Sequence, residues 1–118
     1  MGRYAGGNNP LSDLRRILLE LISNAVKFRG QLPVKVHISA ELGVNECTLC
    51  VQDNGMGIDP ENCLKVFRPY WKLDRSGPGH GMGLAICRAL VALNDGRIWV
   101  KSTVGEGARF FVSFPIGV

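Results

Sequence analysis

The chain has 118 residues, a usual size for one domain and enough to bury a hydrophobic core. Hydrophobic residues make up 46% of it and charged residues 20%, as in an ordinary globular protein. The net charge is only +4 and the basic residues are scattered, so we expect no binding to nucleic acid. No apolar run could cross a bilayer, so we expect no membrane contact. We expect residues 1–10 to be either a disordered segment before the domain or a cut made inside a longer chain. Residues 11–118 are predicted to form one folded domain.

The four cysteines are Cys47, Cys50, Cys63 and Cys87. The spacing of the first two is that of many metal and redox sites. However, they lie in an alternating strand pattern, where positions three apart face opposite sides of a sheet. We therefore interpret them as small hydrophobic residues in a reducing, cytoplasmic setting.

Apolar residues from Leu11 onward recur at three- and four-residue steps and predict a helix that ends before Gly30. Ser12 is the predicted N-cap. The predicted buried stripe consists of Leu14, Ile17, Leu18, Leu21, Ile22, Ala25 and Phe28.

The same helix carries a polar face with Glu20, Asn24 and Lys27. One interpretation is a solvated face with an Arg16–Glu20 pair, worth a few tenths of a kcal/mol. The other is a site in which an acid, an amide and a cation hold hydrated magnesium and phosphates. Taken alone, these residues favour the solvated face.

Residues 34–41 alternate between apolar and polar side chains and predict a half-exposed strand, paired as a hairpin with the strand that ends at Asp53. Asp53 shares the apolar parity of Val51, and a buried carboxylate needs hydrogen-bond donors. Gly55 and Gly57 follow, where the backbone can turn sharply or a ligand can approach closely. The stretch fits a binding site and a turn capped by Asp53 equally well.

Asp59 and Pro60 predict the start of a short helix over residues 60–65. Residues 73–80 show no period, and they fit either a lid over a site or a surface loop.

A glycine repeat then opens a helix that reaches about Asn94, with Gly96 predicted at its C′ position. Its exposed N–H groups could meet an anion. The predicted core stripe of this helix is Leu84, Ile86, Ala89, Leu90 and Leu93. Strands are predicted at 97–102 and 109–115.

Four segments occur in an order that resembles a known family. Residues 18–28 resemble the N box of histidine-kinase ATP-binding domains, and residues 53–57 resemble the G1 box. Residues 67–74 are similar to the F box and residues 79–84 to the G2 box. The chain is therefore similar to the ATP-binding domain of sensor histidine kinases, especially phytochrome-like ones.

This resemblance implies the Bergerat (GHKL) fold, an α/β two-layer sandwich with helices on one face of a mixed, mainly antiparallel sheet. It also implies ATP and Mg²⁺ as cofactors. Asp53 would accept the adenine amino group, Gly55 and Gly57 would let the backbone approach the base, and Phe28 would pack on the ring. Asn24 would bind Mg²⁺ and Lys27 would meet phosphate.

Further roles follow from the same resemblance. Gly79, Gly81, Gly83 and the adjoining Leu84 would cradle the phosphates, and Phe67 would anchor the lid. Glu20, where many relatives have asparagine, would assist with magnesium or water. Lys72, where many have arginine, would approach the terminal phosphate as a point charge.

By resemblance, the function is to supply Mg-ATP for phosphorylation of a histidine on a dimerisation domain that is absent from this chain. His37 and His80 lie in the wrong places to be the acceptor. A response regulator would be an indirect partner, and the isolated domain would be monomeric and inactive alone. Two alternatives remain open, namely a stand-alone serine kinase of the anti-sigma type and a nucleotide-binding regulatory module without catalysis.

Overall fold

The computed structural model describes residues 9–71 and 81–116, so the predicted lid at 73–80 lies outside the described part. Two helices and four strands organise it. In chain order they are α1 (Pro10–Lys27), β1 (Val36–Leu42), β2 (Glu46–Asp53), α2 (Gly83–Leu93), β3 (Arg97–Ser102) and β4 (Ala108–Pro115).

Helix α1 begins one residue earlier than its apolar pattern suggested. Asn9 is the N-cap, and its side-chain oxygen accepts hydrogen bonds from the N–H groups of Leu11 and Ser12. The prediction of Ser12 as the cap is therefore wrong, because Pro10 already occupies the first helical position, where its missing N–H costs nothing. The buried stripe is confirmed, with Ile17, Leu21 and Ala25 fully buried.

The strands form one sheet in the order β1-β2-β4-β3, and all three pairings in the described residues are antiparallel. The predicted hairpin of β1 with β2 is confirmed, with Ile38 opposite Val51. Strand β1 is more exposed than the expected half-exposed strand. It lies at the edge of the sheet, and Ile38 is 46% exposed.

Helix α2 ends in two backbone hydrogen bonds, and they show that the residue at its C′ position is not the predicted Gly96. The N–H of Asp95 donates to the Ala92 carbonyl and that of Gly96 to the Val91 carbonyl, the pattern of a Schellman motif. The C′ residue with positive φ is thus Asp95 (φ 60°) rather than Gly96. Gly96 is needed for space instead, since a Cβ there would collide with the Ser113 carbonyl oxygen.

The hydrophobic core lies between the two helices and one face of the sheet. Its fully buried members on α2 are Cys87 and Val91, neither of which belongs to the predicted stripe. Two members of that stripe are exposed instead, namely Ala89 and Leu93, the latter by 61%. Among the described residues, the central packed cluster of this core contains Ile17, Leu21, Val51, Ile58, Val66, Phe67, Cys87, Val91, Val100, Ala108, Phe110 and Val112. This arrangement of helices over one sheet face confirms the predicted two-layer α/β sandwich.

The segment after β2 does not form the single short helix predicted over residues 60–65. It forms two separate 3₁₀ turns, Pro60–Asn62 and Lys65–Phe67. Asp59 still caps the first turn, since its side chain accepts from the N–H of Glu61. Across residues 9–71 and 81–116, neither helix has the length and apolarity that a bilayer crossing requires.

Candidate functional site

A cleft opens where α1, the end of β2 and the start of α2 meet. It brings together most of the residues that the sequence singled out. The predicted site residues that line it are Glu20, Asn24, Lys27, Phe28, Asp53, Gly57, Gly81, Gly83 and Leu84. Residues from three separate parts of the chain thus share one cavity.

Two predicted site residues lie elsewhere, and two cannot be placed. Phe67 is 4% exposed and packs edge-to-face on Phe110 in the core, with ring centroids 6.2 Å apart. Gly55 is buried behind the cleft. Neither therefore lines the cleft wall. Lys72 and Gly79 lie outside the described residues.

Asp53 is held in place by two backbone donors. Its Oδ1 accepts from the N–H of Gly55 at 2.9 Å and from the N–H of Ala108 at 3.2 Å. Oδ2 accepts no hydrogen bond from the other described residues. The turn capped by Asp53 is confirmed by the bond from Gly55. Asp53 also lines the cleft, and its role in binding stays a prediction.

Three glycines near Asp53, namely Gly55, Gly57 and Gly107, allow backbone segments to pack closely against one another. A Cβ on Gly55 would lie 2.5 Å from the Phe28 carbonyl oxygen, and one on Gly57 would meet the Thr103 carbonyl oxygen. A Cβ on Gly107 would meet the Asp53 carbonyl oxygen. The bare sides of these glycines therefore face other loops of the protein. Glycine is therefore required at these positions for the loops to fit together. The expectation that the backbone at Gly55 and Gly57 approaches a base stays a prediction.

The polar face of α1 borders the same cleft. Glu20 and Asn24 are one turn apart, so their side-chain oxygens can approach one cation. Mg²⁺ prefers oxygen ligands and is usually held by one or two protein groups together with phosphates and water. The donor set therefore fits Mg²⁺. Among residues 9–71 and 81–116, no three acidic, histidine or cysteine side chains lie close enough together to hold a metal ion.

Glu20 has a fixed position on this face. Its Oε2 accepts a hydrogen bond from Nε of Arg16 at 2.7 Å, and the two side chains are 20% and 53% exposed, respectively. A Cβ on Gly83 would lie 2.8 Å from Oε1 of Glu20, so the carboxylate lies directly against the first residue of α2. Nearby, burial and the charge of Glu20 raise the pKa of the Cys87 thiol to about 12. This cysteine is therefore protonated at neutral pH and is not a nucleophile.

Sequence patterns missed the apolar walls of the cleft. They are formed by Ile58, Val66, Trp71, Ala108 and Phe110. In the sequence these residues look like ordinary core or strand positions. Ala108 and Phe110 reach Asp53 only because β4 pairs with β2, which is a long-range contact. The one local signal is the position of Ile58, immediately after Gly57.

Comparisons with known proteins agree with this architecture. A family model described as "Histidine kinase-, DNA gyrase B-, and HSP90-like ATPase" matches residues 10–118. Cyanobacterial phytochrome A of Nostoc sp. (strain PCC 7120) is 41% identical over 108 residues, which are 90% of this chain and 14% of that protein. The methanogenesis regulatory histidine kinase FilI of Methanothrix harundinacea is 35% identical over 86% of this chain and 12% of that protein.

A solved structure shows the same likeness in three dimensions. Full-length ShkA in complex with AMPPNP matches with a TM-score of 0.78 and 33% identity, over 87% of this chain and 21% of that chain. Each of these proteins is much longer than the present chain. The resemblance seen in the four sequence boxes is confirmed, including its phytochrome-like character, and the comparisons favour the histidine-kinase interpretation over the serine-kinase alternative.

Proposed function

Since the chain belongs to the family of histidine kinase-, DNA gyrase B- and HSP90-like ATPases, we propose that its cleft binds ATP with Mg²⁺ and supplies it for phosphorylation of a histidine. The acceptor histidine would belong to a dimerisation domain, and a response regulator would receive the phosphoryl group afterwards. The cytoplasm, where ATP is available, is the proposed location.

The proposed roles follow the geometry of the cleft. Free Oδ2 of Asp53 accepts the adenine amino group, and Phe28 packs on the base. At the other end, Lys27 and the N-terminal N–H groups of α2 bind phosphate oxygens, because a helix N-terminus carries partial positive charge.

The remaining proposed roles concern the magnesium ion and the negative charge of the phosphates. Asn24, assisted by Glu20, provides oxygen ligands for Mg²⁺, which would neutralise phosphate charge during transfer. Gly81, Gly83 and Leu84 line the cleft near the start of α2 and would cradle the phosphates. For Lys72 and Gly79, the roles of terminal-phosphate contact and phosphate cradle remain predictions from the sequence.

One observation carries the proposal, namely that Asp53 lines the cleft and is anchored through Oδ1, while its Oδ2 accepts no hydrogen bond from the residues that the structure describes. Asp53→Asn tests it. The amide can keep the oxygen that accepts from Gly55 and Ala108, but it replaces the free oxygen with an NH₂ donor that opposes the adenine amino group. Calorimetric titration should show a loss of ATP affinity of about 100-fold.

Asp59→Asn is the matched control, because Asp59 caps an exposed 3₁₀ turn and does not line the cleft. It should bind ATP as the unmodified protein does. GTP should not bind, since guanine presents a carbonyl oxygen where adenine presents its amino group. Full ATP affinity in the Asp53→Asn variant would contradict the site.

Phosphotransfer requires a second measurement. The chain would be incubated with radiolabelled Mg-ATP and a supplied histidine-containing dimerisation domain of a phytochrome-like kinase. Labelling of that domain supports the kinase function. ATP binding without any labelling across several such domains would favour the regulatory module.

A further inference from the structure

Arg16 does not line the cleft, but it donates a hydrogen bond to Glu20, which does. We propose that Arg16 is a positioning residue that acts through Glu20, and that this pair sets how strongly nucleotide binding depends on a divalent cation. The inference rests on the proposed function, because it concerns the phosphate end of the same cleft.

The two oxygens of Glu20 have different surroundings. Oε2 accepts from Nε of Arg16 at 2.7 Å, which is the closer of the two ion pairs among residues 9–71 and 81–116. Oε1 lies against Gly83, at a position that the Cβ of any other residue would obstruct. Arg16 therefore holds Glu20 in an orientation that directs its second oxygen toward the start of α2.

Helix α2 begins without a side-chain cap, since its N-cap residue is Met82 and forms no capping hydrogen bond. The first N–H groups of a helix attract negative charge. The Glu20 carboxylate places a negative charge beside this helix start. A nucleotide phosphate would have to approach the same place, so Glu20 and the phosphate repel each other.

A divalent cation changes the sign of this interaction. Held between the carboxylate and the phosphate oxygens, it would turn a repulsive pair into two ligands of one ion. Glu20 therefore disfavours metal-free ATP and accepts metal-bound ATP. The guanidinium of Arg16 limits the repulsion, because it offsets the carboxylate charge and restricts its movement.

If Arg16 had a purely structural role, its replacement would lower the stability of the protein. The Arg16 side chain is 53% exposed, and ion pairs between exposed side chains on one helix contribute little to stability. Replacing it should therefore leave the thermal unfolding temperature nearly unchanged. The effect should appear in the metal dependence of ATP affinity, which a role in stability alone would not alter.

The experiment compares the Kd of ATP in excess Mg²⁺ with the Kd in EDTA, using calorimetry. The variants are Arg16→Met, Arg16→Lys, Glu20→Gln and the Arg16→Met/Glu20→Gln double variant. Arg15→Met is the matched control, since Arg15 is an exposed arginine on the same helix and its loss changes the net charge equally.

We expect Arg16→Met to weaken binding in EDTA about five- to tenfold, as the uncompensated carboxylate repels phosphate, with a smaller change in Mg²⁺. Glu20→Gln should strengthen binding in EDTA. The double variant should behave as Glu20→Gln does, because Arg16 acts only through Glu20. Arg16→Lys should recover most of the affinity, and Arg15→Met should have no effect on the ratio of the two Kd values.

The inference is overturned if Arg16→Met leaves that ratio unchanged, or if its effect is equally large when Glu20 is already glutamine. It is also overturned if Arg15→Met changes the ratio as much, since the cause would then be net charge. In each of these outcomes the unmodified protein still binds Mg-ATP. Absence of binding by the unmodified protein in Mg²⁺ is a separate result, and it would contradict the proposed function itself.

Discussion

Gly107 determines where Asp53 can lie. It has φ 85°, a conformation that favours glycine, and a Cβ at this position would collide with the carbonyl oxygen of Asp53. The next residue, Ala108, donates one of the two hydrogen bonds to the Asp53 carboxylate. The position of a proposed ligand-binding oxygen thus depends on a glycine more than fifty residues away in the chain.

Gly107→Ala should therefore reduce both stability and nucleotide binding. We expect a loss of about 3 kcal/mol in the free energy of unfolding, from backbone strain together with the collision. Chemical denaturation and ATP titration measure the two effects.

Gly105→Ala is the control, since Gly105 has nearly the same φ of 84° but open space around it. It should lose only about 1 kcal/mol and should keep ATP affinity. Equal losses in the two variants would mean that backbone strain, rather than contact with Asp53, determines the effect.

Helix α1 combines several functions on different faces. One stripe, with Ile17 and Leu21, packs into the core, while Glu20, Asn24 and Lys27 border the cleft. Its periodicity predicted both faces, because helical spacing is a local property of the sequence. The prediction of Ser12 as the start of the helix was wrong, because residue type alone made Ser12 a suitable cap and only the backbone geometry shows that Asn9 fills this position.

The corrected cap can be tested directly. Asn9→Ala should lower the free energy of unfolding by about 1 kcal/mol, because two N–H groups lose their acceptor. Ser12→Ala should have little effect, as Ser12 only contributes a backbone N–H. Urea denaturation of both variants decides the matter, and a larger loss from Ser12→Ala would restore the original prediction.

At the scale of the molecule, local patterns predicted the elements, and the resemblance predicted their assembly. The glycine repeats and Asp53 could be singled out from the sequence because each has a local chemical meaning. The contribution of Ala108 and Phe110 to the cleft could not, since it depends on strand β4 lying between β2 and β3. Likewise, the exposure of Ile38 follows from the edge position of β1, which alternation alone does not reveal.

The sheet separates the molecule into two chemically different sides. The helix-covered side contains the core and the cleft. On the opposite side, Trp99 stacks on Phe111 with ring centroids 5.3 Å apart, and the guanidinium of Arg97 lies over the Trp99 ring at 5.1 Å. The chain has two tryptophans, and the other one, Trp71, lines the cleft.

This division gives the protein two optical probes that report on different events. A base entering the cleft should quench the emission of Trp71, while Trp99, shielded by the sheet, provides a constant background. In a Trp99→Phe variant, the fractional quenching by ATP should therefore increase, and in Trp71→Phe it should vanish. A fluorescence titration with ATP checks this assignment. Quenching that persists in Trp71→Phe would show that Trp99, rather than Trp71, responds to the nucleotide. Ligand occupancy can thus be followed with intrinsic emission alone, without attaching a dye.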